Sequence, residues 1–415
     1  AAYNPNELSR FTGKEAEIRN KAGMNLSDVF GAVAHKELVG VDLPNRGSNQ
    51  HETNANEGLK QFFGTNDPIQ AKISWHYFAD DLEPAQEENE ITFYDARAKS
   101  ADRTGRSEWR LYYRGDFLSL AGVGDLLVLA RSTVGRYFGL VFQRGSAWNR
   151  AARELLGLRN LNQSYDAVPR QALDEKSLEF LGQQILAELD LDLVLPVAPN
   201  DEELVLQKFG KLFPTTREMS AFARTHVESD FRRSDETLAR WLEREEQFFR
   251  ALENVIIRER LVLNFATVDD VVAYSLSVQN RRKSRMGHAL QNHLAELFTR
   301  LGLRFTPQAH TEATNKPDFI FPGEREYHDA KFNSALLVML GVKSTSKDRW
   351  RQVLTEADRI PEKHLCTLEA GISTKQTDEM RRQKLTLVVP VGLHATYTSS
   401  QLTEILSVTE FIEIV

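Results

Sequence analysis

Two carboxylates and a lysine near the C-terminal end have types and spacing that suit one task. Asp318 lies in KPDFIFP, at the head of a short apolar segment and just after a proline. Lys343 closes a second apolar run, LLVMLGVK, and Glu356 follows thirteen residues later. Hydrolysis of a phosphodiester needs a divalent ion to polarise the phosphoryl oxygen and to lower the pKa of an attacking water. Mg2+ prefers oxygen ligands and usually takes one or two protein carboxylates, leaving water and phosphate to complete its octahedron. Asp318 and Glu356 fit that ligand set. A lysine beside them orients or helps to deprotonate the water and offsets charge in the transition state. By spacing alone, however, the same triple also occurs as surface ion pairs in α/β domains of this size.

The elements that must position these residues are legible. In KDRWRQVLTEAD, Trp350, Val353, Leu354 and Ala357 recur at i, i+3, i+4 and i+7, which predicts a helix with one core-facing stripe. Arg349 and Glu356 then share a flank of that helix, and the preceding STS offers an N-cap. From residue 302 onward RFTPQAH, DFIF, LLVMLGVK and LTLVVP read as strands, with an amphipathic segment closing the chain. Long helical patterns precede them: TREMSAFARTHVESD, DETLARWLEREEQFFRALENVIIRERL and SRMGHALQNHLAELFTRLGL. Helices followed by a mixed sheet with a crossover helix predict an α/β domain over residues 214–415. Residues 161–213 read as a helical, acidic connector punctuated by Pro196 and Pro199. Residues 1–160 read as mainly β, with KISWHYFA, ITFYDARA, EWRLYY, GDLLVLAR and YFGLVFQ as strands, and so predict a barrel or sandwich.

Composition narrows the partners. At 41% hydrophobic and 27% charged, the 415 residues are ordinary for a globular chain of two or three domains. No apolar run approaches the length of a membrane span, and AAYNPNELSRFTGKEAEIRN has no apolar core of a secretory signal. The single cysteine, Cys366, excludes an intrachain disulfide and a cysteine-based zinc site, so a reducing cytoplasm is the expected home. A net charge of −7 argues against nucleic acid only until the basic residues are located. RAKSADRTGRSEWRLYYR (97–114) holds six Arg or Lys against two acids, and NRRKSR (280–285) holds four basic residues. Bunching of this kind creates a local field that attracts phosphate. No HExxH or GxxxxGK[ST] is present, and His288 and His293 read as surface and packing residues.

Six blocks resemble a known family. SVQNRRKSRMG (277–287), NKPDFIFP (315–322), YHD (327–329), VKSTSKDRWRQVLTEAD (342–358), HLCTLEAGIS (364–373) and LVVPVGLH (387–394) are similar, in the same order, to the catalytic domain of EcoRII-type restriction endonucleases. These belong to the PD-(D/E)XK nuclease superfamily. The resemblance implies a Mg2+-dependent nuclease in which Asp318 and Glu356 ligate metal, Lys343 is the catalytic lysine and Tyr327 lies near the active site. The superfamily's usual acid two residues before the lysine is Gly341 here. In the EcoRII branch that acid has moved to the following helix, where Glu356 stands. Superfamily members often carry a further acid on the first helix. Glu296 is the candidate, although the family register puts Ala295 at that position.

The resemblance also assigns recognition. Lys347, Asp348 and Arg349 are expected to read outer C:G pairs in the major groove, as donors to guanine and an acceptor from cytosine. Arg281, Arg282, Lys283 and Arg285 are expected to hold the DNA backbone. In the N-terminal half, KELVGVDLPNRGSNQHETN (36–54) and RSEWR (106–110) resemble the family's effector-binding domain, a DNA-binding β pseudobarrel. His51, Arg106, Glu108 and Arg110 fall at its DNA-contacting positions. The fold expected is therefore multidomain: an N-terminal β pseudobarrel, a helical connector and a C-terminal α/β restriction-endonuclease-like domain. The implied function is a type II restriction endonuclease acting on double-stranded DNA at a CC…GG target, often CCWGG, and leaving 5′-phosphate ends. The implied partners are two target copies, a second subunit in a homodimer and a companion DNA methyltransferase. A non-cleaving DNA-binding regulator and a structure-selective repair nuclease remain as alternatives.

Overall fold

The computed structural model describes residues 25–415 apart from 45–50, 81, 83–84, 99–106, 177–198 other than 182 and 186, 263–264, 313–314 and 345–348. The N-terminal half is an eight-stranded mixed sheet. Its strands are β1 (Phe30–Glu37), β2 (Glu52–Asn54), β3 (Ile69–Phe78), β4 (Ala85–Asp95), β5 (Trp109–Tyr113), β6 (Leu126–Ser132), β7 (Tyr137–Phe142) and β8 (Asp166–Ala167). The order is β2-β5-β4-β3-β7-β6-β1-β8, antiparallel throughout except where β3 meets β7. Every segment predicted as a strand lies in it, and β8 carries the sheet past residue 160.

The apolar runs LLVLA and FGLVF have a reason. Leu127, Leu129 and Val141 face a core they share with Ile73, Trp75 and Phe93. Leu126, Val128, Leu140 and Phe142, at alternate positions, face a second core that is continuous with the C-terminal half. Strands buried on both faces lose the apolar–polar alternation of a half-exposed strand. The end strands are joined through side chains: the hydroxyls of Thr53 and Tyr165 lie 2.9 Å apart, and Asn56 Nδ2 donates to the Tyr165 carbonyl at 2.7 Å. The sheet therefore curls until its two ends touch.

Helix α1 (Ala147–Leu156), capped by Ser146 and ended by Gly157, carries the contact between the halves. Arg150 Nε donates to the Thr396 carbonyl at 3.1 Å. Gly371, in the left-handed region at φ 71, leaves room for this helix, since a Cβ there would lie 3.0 Å from Ala147 Cβ. From residue 199 onward come α2 (Pro199–Phe209), α3 (Thr216–Arg224), α4 (Ser234–Val262) and α5 (Val268–Arg300). Capping boxes start α3 at Thr215 and Glu218, and α5 at Thr267 and Asp270. Among the described residues no helix is long and apolar enough to cross a membrane.

The C-terminal sheet has five strands in the order β13-β12-β11-β10-β9. They are β9 (Thr306–Pro307), β10 (Phe319–Phe321), β11 (Val338–Lys343), β12 (Lys363–Thr367) and β13 (Leu385–Val388). β9, β10 and β11 are antiparallel neighbours, whereas β11, β12 and β13 run parallel. Parallel strands need crossovers, and helices α6 (Trp350–Val353) and α7 (Thr374–Arg382) lie in them. The second half of α5 covers the sheet with Leu290, Leu294, Leu297 and Phe298, the last packed edge-on against Phe319 and Phe321.

The predicted stripe is buried: Trp350, Val353 and Ala357 are at most 1% exposed. The helix carrying it is shorter than the periodicity implies. It ends at Val353, and Ala357 takes a left-handed φ of 52, so Glu356 stands in the turn beyond the helix rather than on its flank. Arg349 occupies the N-cap without a side-chain cap bond, in place of the expected serine or threonine.

Candidate active site

Antiparallel pairing of Phe319 with Leu340 sets Asp318 opposite Gly341 at the end of the β10–β11 ladder, two residues from Lys343. The aspartate is 6% exposed and its carboxylate is heavily bonded. Its Oδ2 accepts the Val342 amide at 2.6 Å, and its Oδ1 accepts Gln308 Nε2 at 2.7 Å and Gln291 Nε2. Lys343 Nζ lies 3.9 Å from Oδ2. Burial pushes the Asp318 carboxyl above its ordinary pKa, against Lys343 and the amide donors, which pull it down.

Glu356 joins the group through its electrostatic interaction with both Asp318 and Lys343. Burial, followed by repulsion from Asp318, pushes its carboxyl up to about 7, only partly offset by Lys343 and Lys363. Its Oε2 is buried and has no hydrogen-bond partner among the described residues. A buried oxygen of that kind is costly to leave unpaired, and it faces a site that already holds a second carboxylate. Lys363 secures the turn that presents it, donating to the carbonyls of Ala357 at 3.1 Å and Ile360 at 2.8 Å.

The glycine two residues before Lys343 now has a physical reason. A Cβ at Gly341 would lie 2.9 Å from Val353 Cγ2 and 3.1 Å from Cγ1, closer than packed atoms tolerate. The helix that covers the strand fills the place where an acid would otherwise stand, so the second carboxylate has to come from beyond it. Gly341→Asp is therefore expected to lower stability by about 2–3 kcal/mol through overpacking and burial of a charge. It should also fail to replace Glu356 in a Gly341→Asp, Glu356→Gln double variant. Denaturant unfolding and an activity assay check both.

The donor set fits a hard divalent ion. Both carboxylates supply oxygen, one of the oxygens is orphaned, and among the described residues no cluster of three or more His, Cys, Asp or Glu side chains could hold a metal. One or two protein carboxylates, with water and phosphate completing the shell, is the ligand set Mg2+ accepts.

Residues 249–412 match the family model described as EcoRII C terminal. The C-terminal part of the chain is thus similar to the EcoRII C-terminal domain. The type II restriction enzyme EcoRII of Escherichia coli is 40% identical over 222 residues, which are 53% of this chain and 55% of that protein. The chain thus spans about half the length of this curated relative. Among solved structures, metal-depleted Ecl18kI in complex with uncleaved, modified DNA is 16% identical with a TM-score of 0.42, covering 53% of this chain and 84% of that one. A PspGI–substrate DNA complex is 15% identical with a TM-score of 0.39, covering 50% and 93%.

Within this region other residues stand differently from their sequence-based roles. Glu296 is turned away from Asp318: it accepts Arg300 Nε at 2.8 Å and lies 3.8 Å from Arg224. The side chain that α5 does bring to Asp318 is Gln291, one turn and a residue earlier, a neutral amide that a search for acids passes over. Gln308 was missed for the same reason, although its left-handed φ of 50 marks the position. Tyr327 is buried, but its hydroxyl donates to Glu312 and accepts from the Arg359 amide, contacts that lie behind the site rather than in it. Arg349 is exposed just before α6, while Lys347 and Asp348 lie outside the described residues.

The basic cluster on α5 is largely taken up by acids of α4. Arg282 forks onto the fully buried Glu253 at 2.6–3.1 Å, and Arg281 lies over the Phe213 ring at 4.0 Å. Arg285 is 6% exposed and bonds to Glu245 and Glu246. Burial pushes the Glu245 carboxyl up, but His293 and Arg285 outweigh it and hold it below its ordinary value. The side chain of Lys283 lies outside the described residues. Arg285 is thus an internal cation and not a phosphate clamp. Arg285→Ala should leave buried carboxylates uncompensated and lower stability by about 3 kcal/mol. Thermal melting checks it; an unchanged melt with uniformly weaker DNA binding would restore the clamp.

In the N-terminal sheet Arg110 bridges Glu52 at 2.7 Å and Glu108, which also accepts Arg97 Nε at 2.8 Å. His51 packs edge-on against Tyr113, 5.6 Å between ring centres, with Asp116 3.7 Å from its Nε2. Arg106 lies outside the described residues.

Proposed function

We propose that the chain is a type II restriction endonuclease that hydrolyses double-stranded DNA at a CC…GG site, of the CCWGG kind, with Mg2+. The observation that carries this is the convergence of Asp318, Lys343 and the unpartnered Glu356 Oε2 inside an EcoRII-like domain. Asp318 and Glu356 would hold the ion; when bound it supplies Lewis acidity to the phosphoryl oxygen and acidifies a water. Lys343 orients that water and offsets charge developing on the phosphate. Val342 and Gln308 fix the Asp318 carboxylate by hydrogen bonds to its two oxygens. In-line attack leaves a 5′-phosphate and a 3′-hydroxyl.

Arg349, exposed at the start of α6, would read the major groove together with Lys347 and Asp348, which precede it in the chain. Tyr327 acts from behind the site through Glu312 and Arg359. The N-terminal half, a curled β pseudobarrel joined by the helical connector, binds a second target copy through His51, Arg106, Glu108 and Arg110 and restrains the catalytic domain until it does. A palindromic target matches a two-fold homodimer with one active site per strand. Such an enzyme works in the cytoplasm beside a companion DNA methyltransferase.

The test is incubation of purified protein with plasmid DNA and Mg2+, followed by sequencing of the ends, with Asp318→Ala as control. Discrete fragments ending at a CC…GG site and absent with the variant support the reading. Specific binding without cleavage would favour a regulator, and cleavage of branched DNA without a fixed sequence would favour a repair nuclease.

A further inference from the structure

The Asp318 carboxylate has little left to offer. An ionised carboxylate has about four acceptor sites. Two are taken on Oδ1 by Gln291 and Gln308, one on Oδ2 by the Val342 amide, and Lys343 Nζ approaches the same Oδ2 at 3.9 Å. Two of these groups are fixed in place. Val342 donates from the β11 backbone. Gln308 is tied twice, because its own amide also donates to the Asp318 carbonyl at 3.0 Å. Gln291 differs, reaching the carboxylate only with the end of a long, half-buried side chain from α5. Its partner oxygen is an acceptor only, so the group facing it has to be the NH2 end of the amide.

We propose that Gln291 is a gate on the metal site: its amide occupies the face of Asp318 Oδ1 that a divalent ion needs, and it swings off before the ion is held. Gln308 is the positioning residue that keeps the carboxylate aimed once Gln291 has left. This rests on the reading of Asp318 as a metal ligand. A glutamate in place of Gln291 would repel Asp318 and add a ligand. The amide does the opposite on both counts, satisfying Asp318 while the site is empty and bringing no charge to the ion. Unlike a structural hydrogen bond, a gate has a definite sign: removing it tightens metal binding.

Titration of the full chain with Mn2+ in the absence of DNA, following free Mn2+ by electron paramagnetic resonance, tests this without any cleavage. Gln291→Ala should bind Mn2+ about tenfold more tightly than the unaltered chain, the worth of one released hydrogen bond to a charged group. Gln291→Met, which keeps the length and the packing but not the donor, should do the same if the alanine variant loosens α5. Gln308→Ala should bind no more tightly. Equal or weaker Mn2+ binding by both Gln291 variants, with the unaltered chain still saturating, would overturn the gate and leave the nuclease reading intact. If the unaltered chain and the Gln291 variants bind no more Mn2+ than Asp318→Asn, the gate and the metal site fall together.

Discussion

Lys343→Ala is expected to reduce DNA cleavage about a thousandfold while leaving specific binding within a few-fold of the unaltered protein. The lysine ends β11 with its ammonium 3.9 Å from Asp318 Oδ2 and is partly exposed toward the site. Removing it deletes, among the described residues, the one cation beside the two carboxylates that reaches outward; Lys363 is bound to backbone carbonyls. The ground state barely notices the loss, because Asp318 keeps Val342 and Gln308 as donors. An interaction that matters only when charge builds on the phosphate shows in the rate and not in binding. A labelled duplex followed on gels with Mg2+ for cleavage and with Ca2+ for binding separates the two. Loss of binding together with cleavage would make Lys343 a structural residue.

Glu356→Gln is expected to abolish cleavage and, unusually for an active-site change, to stabilise the metal-free protein above neutral pH. The Glu356 carboxyl is raised from 4.5 to about 7, first by burial and then by Asp318. The folded state therefore prefers the protonated acid. Its stabilising contribution is complete below about pH 4.5, declines as pH rises through 7 and is absent above it. A glutamine mimics the protonated form at every pH. At pH 8 the variant should be more stable by on the order of 2 kcal/mol, and at pH 4 the two should be alike. Melting curves across that range, with a chelator present, decide the matter. A variant that is less stable at pH 8 would mean that the orphaned Oε2 has a partner in solution.

Much of this architecture can be read from residue order. β6 and β7 announce themselves as unbroken apolar runs because both of their faces are covered. The Trp350–Val353–Ala357 stripe is legible because burial follows helical spacing even where the helix itself stops. Its early end is not legible, since it depends on Ala357 adopting a left-handed φ that nothing local demands. Charge misleads for a related reason. NRRKSR reads as a basic surface, but Glu245, Glu246 and Glu253 return to it from a different helix, and no spacing rule pairs residues 29 to 40 positions apart. Acids are sought at metal sites and amides are not, which hides Gln291 and Gln308 although both touch Asp318.

The contact between Gly341 and Val353 has a consequence for how such a site changes over generations. Returning the acid to the strand cannot be a single step, because a Cβ at 341 meets the valine before its carboxylate contributes anything. Trimming Val353 first opens a hole in the core for no gain. Each single change is therefore expected to be less stable than its parent, which couples the two positions energetically. Lineages that once moved the acid into the turn would keep it there, and a pattern search built on acid–x–lysine would pass over all of them.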